Sequence, residues 1–489
     1  MTEFEYDIGI LGGGAAGLTL ASGAAQLGAK TILIEKDAVL GGDCLHFGCV
    51  PSKTLIRTAG VYHLMKQARR FGLPGVETAP VDFLQIAGRI RSVIEAIQTH
   101  DSEERFCRLG VKVEFGVAEF TDEHTVDVKG RQISARNWVI ATGSSPAVPP
   151  IEGLEQTGYL TNRDLFSLDR LPESLVILGG GPIAMEMAQA FCRLGSKVTV
   201  IQRSSQVLTR EDKDMADEVM KALRQEGVKF FLGTSIQRVR TIGDQKEVLF
   251  QEKGLEGSFR ETGDAILVAM GRRANLDGLG LESIGVEFNR KGLTLDERLR
   301  TSQKHIYGAG DVTGTWQFTH AAGYEAGIVI GNAVFHIPRK TDYSHMPWST
   351  FTDPGLAGIG MTEKRADQAN IRYSVWIEEF KDNDRSLAEG ESRGKIKLLL
   401  DEKDKPIGVQ IFGPHAGELL NEWVAVMNGG VRMTSMASAV HPYPTLGEIN
   451  KKVVGAYMST KLFSDTVKKG LKFFFHFKGR ACEPGKKVE

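Results

Sequence analysis

A strand, a glycine-rich turn and a helix follow one another at two places in this sequence, and this repeat constrains the fold more than any other feature. The first copy has an apolar run at 7–11, then glycines at 12, 13, 14 and 17 and a helix of small residues. The second copy has an apolar run at 174–178, glycines at 179–181 and a helix over 185–191. Each copy has the context of a dinucleotide-binding βαβ unit, so the sequence predicts an α/β fold with two Rossmann-like nucleotide sites.

The first copy carries a glycine at each place where a dinucleotide fingerprint needs one. Gly12 allows the tight turn, Gly14 lets the backbone approach a pyrophosphate, and Gly17 lets the helix pack closely on the strand. Glu35 ends the next apolar strand, at about the 20-residue spacing expected for an acid that binds a ribose hydroxyl. We therefore predict a dinucleotide here, with its phosphates at the helix N-terminus. The neighbouring positions assigned to this site are Ala15, Ala16 and Lys36.

The second copy differs at the end of its second strand. Gln202 stands where an acid would bind a free 2′-hydroxyl, and Arg203 follows it. An acid would repel a 2′-phosphate, whereas Arg203 and Arg210 can pair with one. The sequence therefore favours NADPH over NADH, the alternative being that Arg203 is a solvated loop charge. The other positions assigned to this site are Gly179, Gly181, Ile183 and Gly271.

Length and composition fit a globular protein of about three domains. The 489 residues carry 60 Lys and Arg against 61 Asp and Glu, and this net charge of −1 argues against nucleic-acid binding. The start of the chain lacks a signal-peptide pattern, and no stretch reaches the ~18 apolar residues of a membrane span. We therefore expect a cytoplasmic protein. The five cysteines do not indicate a secreted disulfide scaffold.

Two cysteines, Cys44 and Cys49, lie five positions apart in a glycine-framed segment that follows the first nucleotide unit. A helix is predicted to begin near Cys49, and its N-terminus together with Lys53 would stabilise a thiolate. Zinc would need a second pair of ligands, which the sequence lacks, and two inert buried cysteines would not need the glycines. The segment therefore favours a redox dithiol beside a flavin, and no metal site is predicted. The remaining cysteines are isolated in the sequence and are expected to be small core or surface residues without a redox role: Cys107, Cys192 and Cys482.

Residues 41–53 resemble the redox-active motif of the class I pyridine nucleotide-disulfide oxidoreductases, which include dihydrolipoyl dehydrogenase, glutathione reductase and mercuric reductase. The resemblance extends to about residue 460. It implies FAD at the first site, a pyridine nucleotide at the second, and a homodimer whose C-terminal α+β domain completes the active site of the partner. The implied domains are FAD-binding at 1–150 and 275–345, NAD(P)H-binding at 151–274, dimerisation at 346–465 and a basic aromatic tail at 466–489.

The resemblance also implies roles for individual residues. Cys49 is the thiol on the flavin side and Cys44 is the interchange thiol that meets the acceptor. Lys53 lies near the flavin and pairs with Glu186, while Asp311 binds the ribityl chain of FAD. The further positions assigned to cofactor binding are Gly42, Asp43, Thr142, Gly143 and Gly310.

One segment, residues 441–448, departs from the family pattern. Disulfide reductases of the family place an acid–base His where this chain has Tyr443, while His441 and Glu448 hold the places of an upstream His and an orienting acid. A phenol with a pKa of about 10 is a poor proton acceptor, so disulfide exchange should be slow. Mercuric reductases have a Tyr here, because soft metals need thiolates more than a base. Those enzymes also use a C-terminal cysteine pair, where this chain has only Cys482.

The sequence therefore predicts an FAD-dependent, NADPH-oxidising, mercuric-reductase-like enzyme that passes electrons through the Cys44–Cys49 disulfide to a thiol-reactive small molecule or metal ion. Two alternatives stay open. One is dihydrolipoyl dehydrogenase or another disulfide reductase, and the other is a flavin electron carrier that serves a protein or quinone partner.

Residues 468–480 form a basic, aromatic stretch beyond the usual end of the family. One interpretation is weak contact with a membrane surface or an anionic partner. The other is that the phenylalanines pack at the dimer interface and the lysines are solvated. We favour the second, because the stretch is short and shows no sustained amphipathic period.

Overall fold

The computed structural model describes residues 4–254 and 256–481. Its chain forms two compact units, one of residues 1–343 with 350–352 and one of residues 344–349 with 353–489.

The first unit opens with a sheet that alternates with helices. Strands β1 and β2 and the end of β6 are buried and apolar, as in parallel strands covered on both faces. In chain order the elements are β1 (Tyr6–Leu11), α1 (Ala15–Gln26), β2 (Thr31–Glu35), α2 (Gly42–His46), α3 (Cys49–Lys66), α4 (Phe83–Gln98), α5 (Glu103–Arg108), β3 (Val111–Phe115), β4 (Ala118–Asp122), β5 (Thr125–Val128), β6 (Arg131–Ile140) and β7 (Ser144–Pro146). The order β3-β2-β1-β6 is parallel, and β6 continues into the antiparallel strands β5 and β4.

The second βαβ copy forms a separate parallel sheet in the order β10-β9-β8-β14, beside an antiparallel sheet β11-β12-β13. Its elements are α6 (Leu154–Thr157), β8 (Ser174–Leu178), α7 (Pro182–Leu194), β9 (Lys197–Gln202), α8 (Lys213–Gln225), β10 (Lys229–Leu232), β11 (Thr234–Ile242), β12 (Gln245–Glu252), β13 (Phe259–Gly263), β14 (Ala265–Val268) and β15 (Arg272–Ala274). The predicted duplication of the nucleotide-binding fold is therefore confirmed.

After β15 the chain returns to the first sheet through β16 (Ile306–Gly308) and α9 (Thr319–Ala333). Strand β16 pairs in parallel with β6, with Ile306 opposite Trp138. Strand β7 pairs with β15 in an antiparallel ribbon between the two sheets. The ribbon forms because Ala274 and Ser144 lie opposite each other and are both buried.

The second unit is an α+β layer built on an antiparallel sheet in the order β17-β18-β21-β20-β19. Its core is centred on the fully buried Trp423 and on the apolar residues of the central strands. The elements are β17 (Pro347–Thr350), β18 (Gly355–Gly360), α10 (Glu363–Gln368), β19 (Tyr373–Glu379), α11 (Asp384–Glu389), β20 (Lys395–Asp401), β21 (Pro406–Gly413), α12 (Ala416–Asn428), α13 (Met433–Ser438), α14 (Glu448–Leu462) and α15 (Asp465–Phe475).

The tail contradicts the prediction that it has no amphipathic period. Residues Asp465–Phe475 form helix α15, and Val467, Leu471 and Phe474 recur at the i, i+4 and i+7 positions of one face. Three successive phenylalanines at the end of the helix obscure this spacing in the sequence. Within the part of the chain that the structure describes, no helix is both long and apolar enough to cross a membrane.

Candidate active site

The first glycine turn can be made only by glycine. Gly12 has a φ of +108°, and a Cβ there would lie 2.4 Å from the carbonyl oxygen of Ala141. A Cβ on Gly17 would lie 1.8 Å from the carbonyl oxygen of Gly12, because helix α1 crosses the turn at close range. The helix begins at Ala15, and no side chain caps its N-terminus at Gly14. Its first N–H groups are therefore free to bind an anion.

Glu35 lies at the end of β2, as predicted, and its buried carboxylate is held by two backbone groups. Gly13 N donates to one oxygen at 2.6 Å, and Asp37 N donates to the other at 2.8 Å. The side chain is therefore fixed at the strand end, where it lines an open groove. The same groove is lined by other residues that the sequence predicted for this site: Gly12, Gly14, Lys36, Gly42, Asp43, Thr142 and Gly143.

The residues of this groove fit an FAD molecule. The glycine turn and the start of α1 offer backbone N–H groups for a pyrophosphate, and the fixed Glu35 offers a carboxylate for ribose hydroxyls. A side chain at Gly42 could not be accommodated, because its Cβ would lie 2.8 Å from the Cα of Gly14.

Arg272 connects Asp43, which lines the groove, with Asp311, which is far from it in sequence. Its guanidinium donates to Asp43 at 2.9 Å and to the Ser144 hydroxyl at 2.7 Å, and it lies 3.6 Å from Asp311. The Ser144 hydroxyl in turn donates to Asp311. Burial raises the pKa of Asp311, and the Ser144 hydrogen bond opposes this shift. Gly310, with a φ of +80°, turns the chain into Asp311, and the network holds Asp43 and Asp311 together.

The two cysteines of the glycine-framed segment come together as free thiols. Cys44 lies in the short helix α2, and Cys49 is the first residue of the 18-residue helix α3, as predicted. Cys44 hydrogen-bonds to Cys49, which lowers the pKa of Cys49 to about 6 and raises that of Cys44. Burial opposes the lowering at Cys49, while Thr319 and Lys53 support it. The two thiols titrate together. Loss of the first proton leaves one thiolate, and the two sulfurs share the remaining proton.

Thr319 is the residue that completes the cysteine site. Its hydroxyl donates to the Cys44 sulfur at 3.1 Å and lies 3.6 Å from the Cys49 sulfur. Thr319 is also the first residue of α9, so the N-termini of two long helices, α3 and α9, meet at the two sulfurs. Both helix termini favour negative charge there.

Lys53 and Glu186 form the ion pair that the resemblance implied. The Lys53 Nζ lies 2.9 Å from a carboxylate oxygen of Glu186, which is buried in α7. The other Glu186 oxygen accepts from the backbone N of Phe351 at 2.9 Å, and the Phe351 ring lies 4.4 Å from the Lys53 ammonium. These contacts fix the position of the ammonium group one helical turn after Cys49.

The second nucleotide turn repeats the geometry of the first. Gly179 has a φ of +118°, and a Cβ there would lie 2.2 Å from the carbonyl oxygen of Ala269. Helix α7 begins after Gly181 without a side-chain cap, and Ile183 is exposed in its first turn. Gly271, with a φ of +122°, follows the neighbouring strand β14.

Gln202 ends β9 where Glu35 ends β2. Its side chain lies against Gly180, at 2.9 Å from an added Cβ. Arg203 and Arg210 are exposed, and neither has an ion-pair partner among the residues that the structure describes. This region of the second nucleotide site therefore carries the Gln202 amide and two exposed guanidinium groups, those of Arg203 and Arg210.

In the second unit, Tyr443 is exposed and its hydroxyl donates to Asp384 at 2.8 Å. This hydrogen bond raises the pKa of Tyr443. His441 faces the carboxylate of Glu422, at 2.8 Å. Glu448 instead accepts from the backbone N of Thr445 at 3.4 Å, because it occupies the first position of α14.

Sequence reasoning missed several residues of the site. One is Glu325, a fully buried acid on α9 that accepts from Gly310 N at 2.7 Å and from the Tyr343 hydroxyl at 2.6 Å. Burial raises the pKa of Glu325 to about 7, and the Tyr343 hydrogen bond opposes the shift. A charged residue inside an otherwise apolar helix was the available signal. The other missed residues are Arg272, Ser144, Thr319, Phe351, Asp384 and Glu422.

Two of the remaining cysteines, Cys107 and Cys192, are described by the structure and take no part in these contacts. Cys107 is exposed, and burial raises the pKa of Cys192. Cys482 lies outside the described residues.

Two family models match this chain. The pyridine nucleotide-disulphide oxidoreductase model matches residues 6–326, and the dimerisation-domain model of the same family matches residues 346–454. The chain belongs to the pyridine nucleotide-disulphide oxidoreductase family. It is therefore an oxidoreductase of the flavoprotein disulfide reductase type, whose members use FAD and a pyridine nucleotide.

Relatives with different substrates are similarly close. A mercuric reductase of Lysinibacillus sphaericus is 34% identical over 450 residues, covering 92% of this chain and 82% of that protein. A dihydrolipoyl dehydrogenase of Bacillus subtilis is 33% identical over 447 residues, covering 90% and 96%. The structure of the Cu(II) complex of the HOCl-induced flavoprotein disulfide reductase RclA from Escherichia coli matches with a TM-score of 0.82, at 29% identity, covering 93% and 99%. The predicted family and fold class are confirmed, and the family alone does not define the acceptor.

Proposed function

We propose that this protein is an NADPH-oxidising reductase that delivers electrons from Cys44 to a thiophilic metal ion. The observation that carries the proposal concerns Tyr443. Its hydroxyl donates a hydrogen bond to Asp384, and its pKa is raised. The cysteine pair, in contrast, is built to hold a thiolate. Such a site favours an acceptor that needs sulfur ligands over one that needs a general base.

A bound FAD would supply hydride acceptance from the reduced pyridine nucleotide and two-electron transfer to the neighbouring disulfide. The first glycine turn and Glu35 would hold its dinucleotide part, and Asp43 and Asp311 would hold the chain toward its ring. Lys53, positioned by Glu186, would place a positive charge beside the reacting thiol Cys49.

The electrons and protons balance through the cysteine pair. Reduction of the Cys44–Cys49 disulfide breaks the S–S bond, takes up two electrons and leaves two sulfurs that share protons. Cys44 and Cys49 then bind the metal ion as thiolates and release those protons to water. One Hg(II) or two Cu(II) ions take up the two electrons in turn, the metal leaves as Hg(0) or Cu(I), and the S–S bond re-forms.

The comparisons support a metal acceptor without identifying it. One group of relatives is named for mercuric ion, and the matched RclA structure is a Cu(II) complex. The dihydrolipoyl dehydrogenases among the relatives support lipoamide as the competing acceptor. The Tyr443–Asp384 contact argues against this second candidate, because lipoamide reduction needs an acid–base group at the interchange thiol.

An acceptor panel tests the proposal. NADPH oxidation by the holoenzyme is measured with Hg(II), Cu(II), lipoamide, glutathione disulfide and a quinone, in the wild type and in the Tyr443→His and Tyr443→Phe variants. We expect turnover with a metal ion, little with either disulfide, and a gain of lipoamide turnover in Tyr443→His alone. Good lipoamide turnover by the wild-type protein would show that the Tyr443 argument is wrong.

We also propose NADPH as the preferred reductant. Gln202 at the strand end carries no charge to repel a 2′-phosphate, and Arg203 is exposed without an ion-pair partner among the described residues. A charge-assisted hydrogen bond to phosphate contributes about 1.5–3 kcal/mol, so Arg203→Ala should lower kcat/KM for NADPH by about 10- to 100-fold. The value for NADH should stay within about twofold. An equal loss with both nucleotides would refute this role of Arg203.

We further propose the domain division at 150, 274, 345 and 465 and a homodimer. The pairing of β16 with β6 and the contact of Asp311 with Ser144 support a discontinuous FAD-binding domain. The match to the dimerisation-domain model supports the homodimer. Sedimentation equilibrium of the holoenzyme tests it, since a monomer mass at micromolar concentration would contradict it. The cytoplasmic location stays a prediction.

A further inference from the structure

We propose that residues 465–481, which comprise helix α15 and the short segment that follows it, dock the enzyme on the surface of an anionic phospholipid bilayer. This inference concerns the tail of the second unit and is independent of the proposed reductase reaction.

The tail exposes an unusual amount of aromatic surface. Helix α15 has no buried residue, and its phenylalanines Phe473, Phe474 and Phe475 are 75%, 74% and 65% exposed. Phe477, just after the helix, is 56% exposed. The Phe473 and Phe474 rings contact each other, as do those of Phe475 and Phe477. The tail therefore exposes four large apolar side chains in two contacting pairs, a concentration of the kind that marks an interaction surface.

The helix has two chemically different faces. Val467, Leu471 and Phe474 form an apolar stripe, while Lys468 and Lys472 lie on the adjoining face. The N-terminus is fixed by Ser464, whose hydroxyl accepts from Val467 N.

The charge of the tail indicates which kind of surface it binds. Residues 465–481 carry five cations and one carboxylate, although the whole chain has a net charge of −1. The cations lie beside the phenylalanines along and just after the helix, namely Lys468, Lys469, Lys472, Lys478 and Arg480. A protein partner would cover the apolar stripe but would not need so high a density of lysines, whereas a bilayer with anionic headgroups binds both features together.

The dimensions of the helix agree with a position in the bilayer interface. Its 11 residues extend about 16 Å at 1.5 Å per residue, too short to cross a hydrocarbon core of about 30 Å. The phenylalanines would enter the boundary between headgroups and acyl chains, and the lysines would stay among the headgroups. The rest of the enzyme would then remain in water at the membrane surface.

Vesicle co-sedimentation of the full-length holoenzyme tests the proposal. The vesicles are phosphatidylcholine alone or phosphatidylcholine with about one-third phosphatidylserine. We expect at least about tenfold more bound protein with phosphatidylserine, and loss of this binding in high salt. The charge-reversal variant Lys468→Glu/Lys469→Glu/Lys472→Glu and the variant Phe473→Ser/Phe474→Ser/Phe475→Ser should each abolish it.

The controls separate this tail from general stickiness. Phe335→Ser removes a phenylalanine of similar exposure from the first unit and should leave vesicle binding unchanged. NADPH oxidation by the tail variants should equal that of the wild type, which shows that they are folded. Equal binding of wild-type and variant proteins to the vesicles would overturn the proposal. A second result would also overturn it: the wild type does not bind vesicles, and the phenylalanine variant changes its sedimentation mass. The phenylalanines would then form a contact between copies of this chain.

Discussion

Removal of the Thr319 hydroxyl should raise the pKa of the cysteine pair. This hydroxyl donates to Cys44 at 3.1 Å and lies 3.6 Å from Cys49, so it favours the thiolate at both sulfurs. Thr319→Val keeps the shape of the side chain and removes the donor. The variant tests the chemical role of Thr319 separately from its place at the start of α9.

The size of the effect follows from the strength of a hydrogen bond to a charged group. Such a bond contributes about 1.5–3 kcal/mol, and one pKa unit corresponds to about 1.4 kcal/mol. The contact with Cys49 is long, so we take the lower end, which is about one unit. The pKa of Cys49 should therefore rise from about 6 toward about 7. Near pH 6.5 the thiolate fraction would fall about threefold, whereas near pH 9 it would be unchanged.

The assay is the rate at which the reduced pair takes up its first carboxamidomethyl group from iodoacetamide, followed by mass spectrometry from pH 5 to 9. Thr319→Ser retains a hydroxyl and should reproduce the wild-type profile. A profile that does not move in Thr319→Val would refute the reasoning. A rate lowered equally at every pH would also refute it, because that result indicates altered access and not an altered pKa.

Three further predictions concern the supports of the site. Glu186→Ala leaves Lys53 without its carboxylate and should destabilise the protein by about 2 kcal/mol in urea unfolding, less than a fully buried pair because Lys53 is 35% exposed; unchanged stability would contradict the importance of the pair. Gly17→Ala places a Cβ against the Gly12 carbonyl and should yield protein without FAD, and normal flavin absorbance after purification would contradict the geometry. Glu325 has a folded pKa of about 7 against an ordinary 4.5, so the folded state binds more protons and the free energy of unfolding should fall by about 3 kcal/mol as the pH rises from 4.5 to 7. Unfolding of Glu325→Gln across the same range should lack this slope, and an identical slope would assign it elsewhere.

Local patterns in the sequence predicted the parts of the fold that local physics determines. The glycine turns at 12–17 and 179–181 predicted both nucleotide-binding sheets, because the backbone leaves no room for a Cβ at Gly12, Gly17 and Gly179. A helix start near Cys49 was also predicted from the local sequence, and α3 begins there.

Contacts across long sequence separations could not be predicted in this way. Arg272 contacts Asp43 across 229 residues, and Thr319 contacts Cys44 across 275. Only the return of β16 to β6 and the ribbon of β7 with β15 bring these residues together. The pairing of Lys53 with Glu186 was predicted through the family resemblance and not through spacing.

In the second unit, too, the sequence did not predict which side chains contact one another, although these residues are closer together in the chain. Glu448 keeps the motif position of an acid that would orient a His at position 443, and from the start of α14 its carboxylate also accepts from Thr445 N. Asp384 and Glu422 take the contacts with Tyr443 and His441, because α11 and α12 pass beside the 441–445 segment. In the tail, successive phenylalanines concealed the apolar stripe of α15 until the helix was defined.

The central claim is that Cys44 and Cys49 form the redox pair through which electrons leave the enzyme. Differential alkylation of the oxidised and the anaerobically NADPH-reduced holoenzyme tests it most directly, because the readout does not depend on the acceptor. We predict that Cys44 and Cys49 are protected before reduction and alkylated after it. The exposed Cys107 should react equally in both states and serves as the internal reference. Equal alkylation of the pair before and after NADPH would contradict the account.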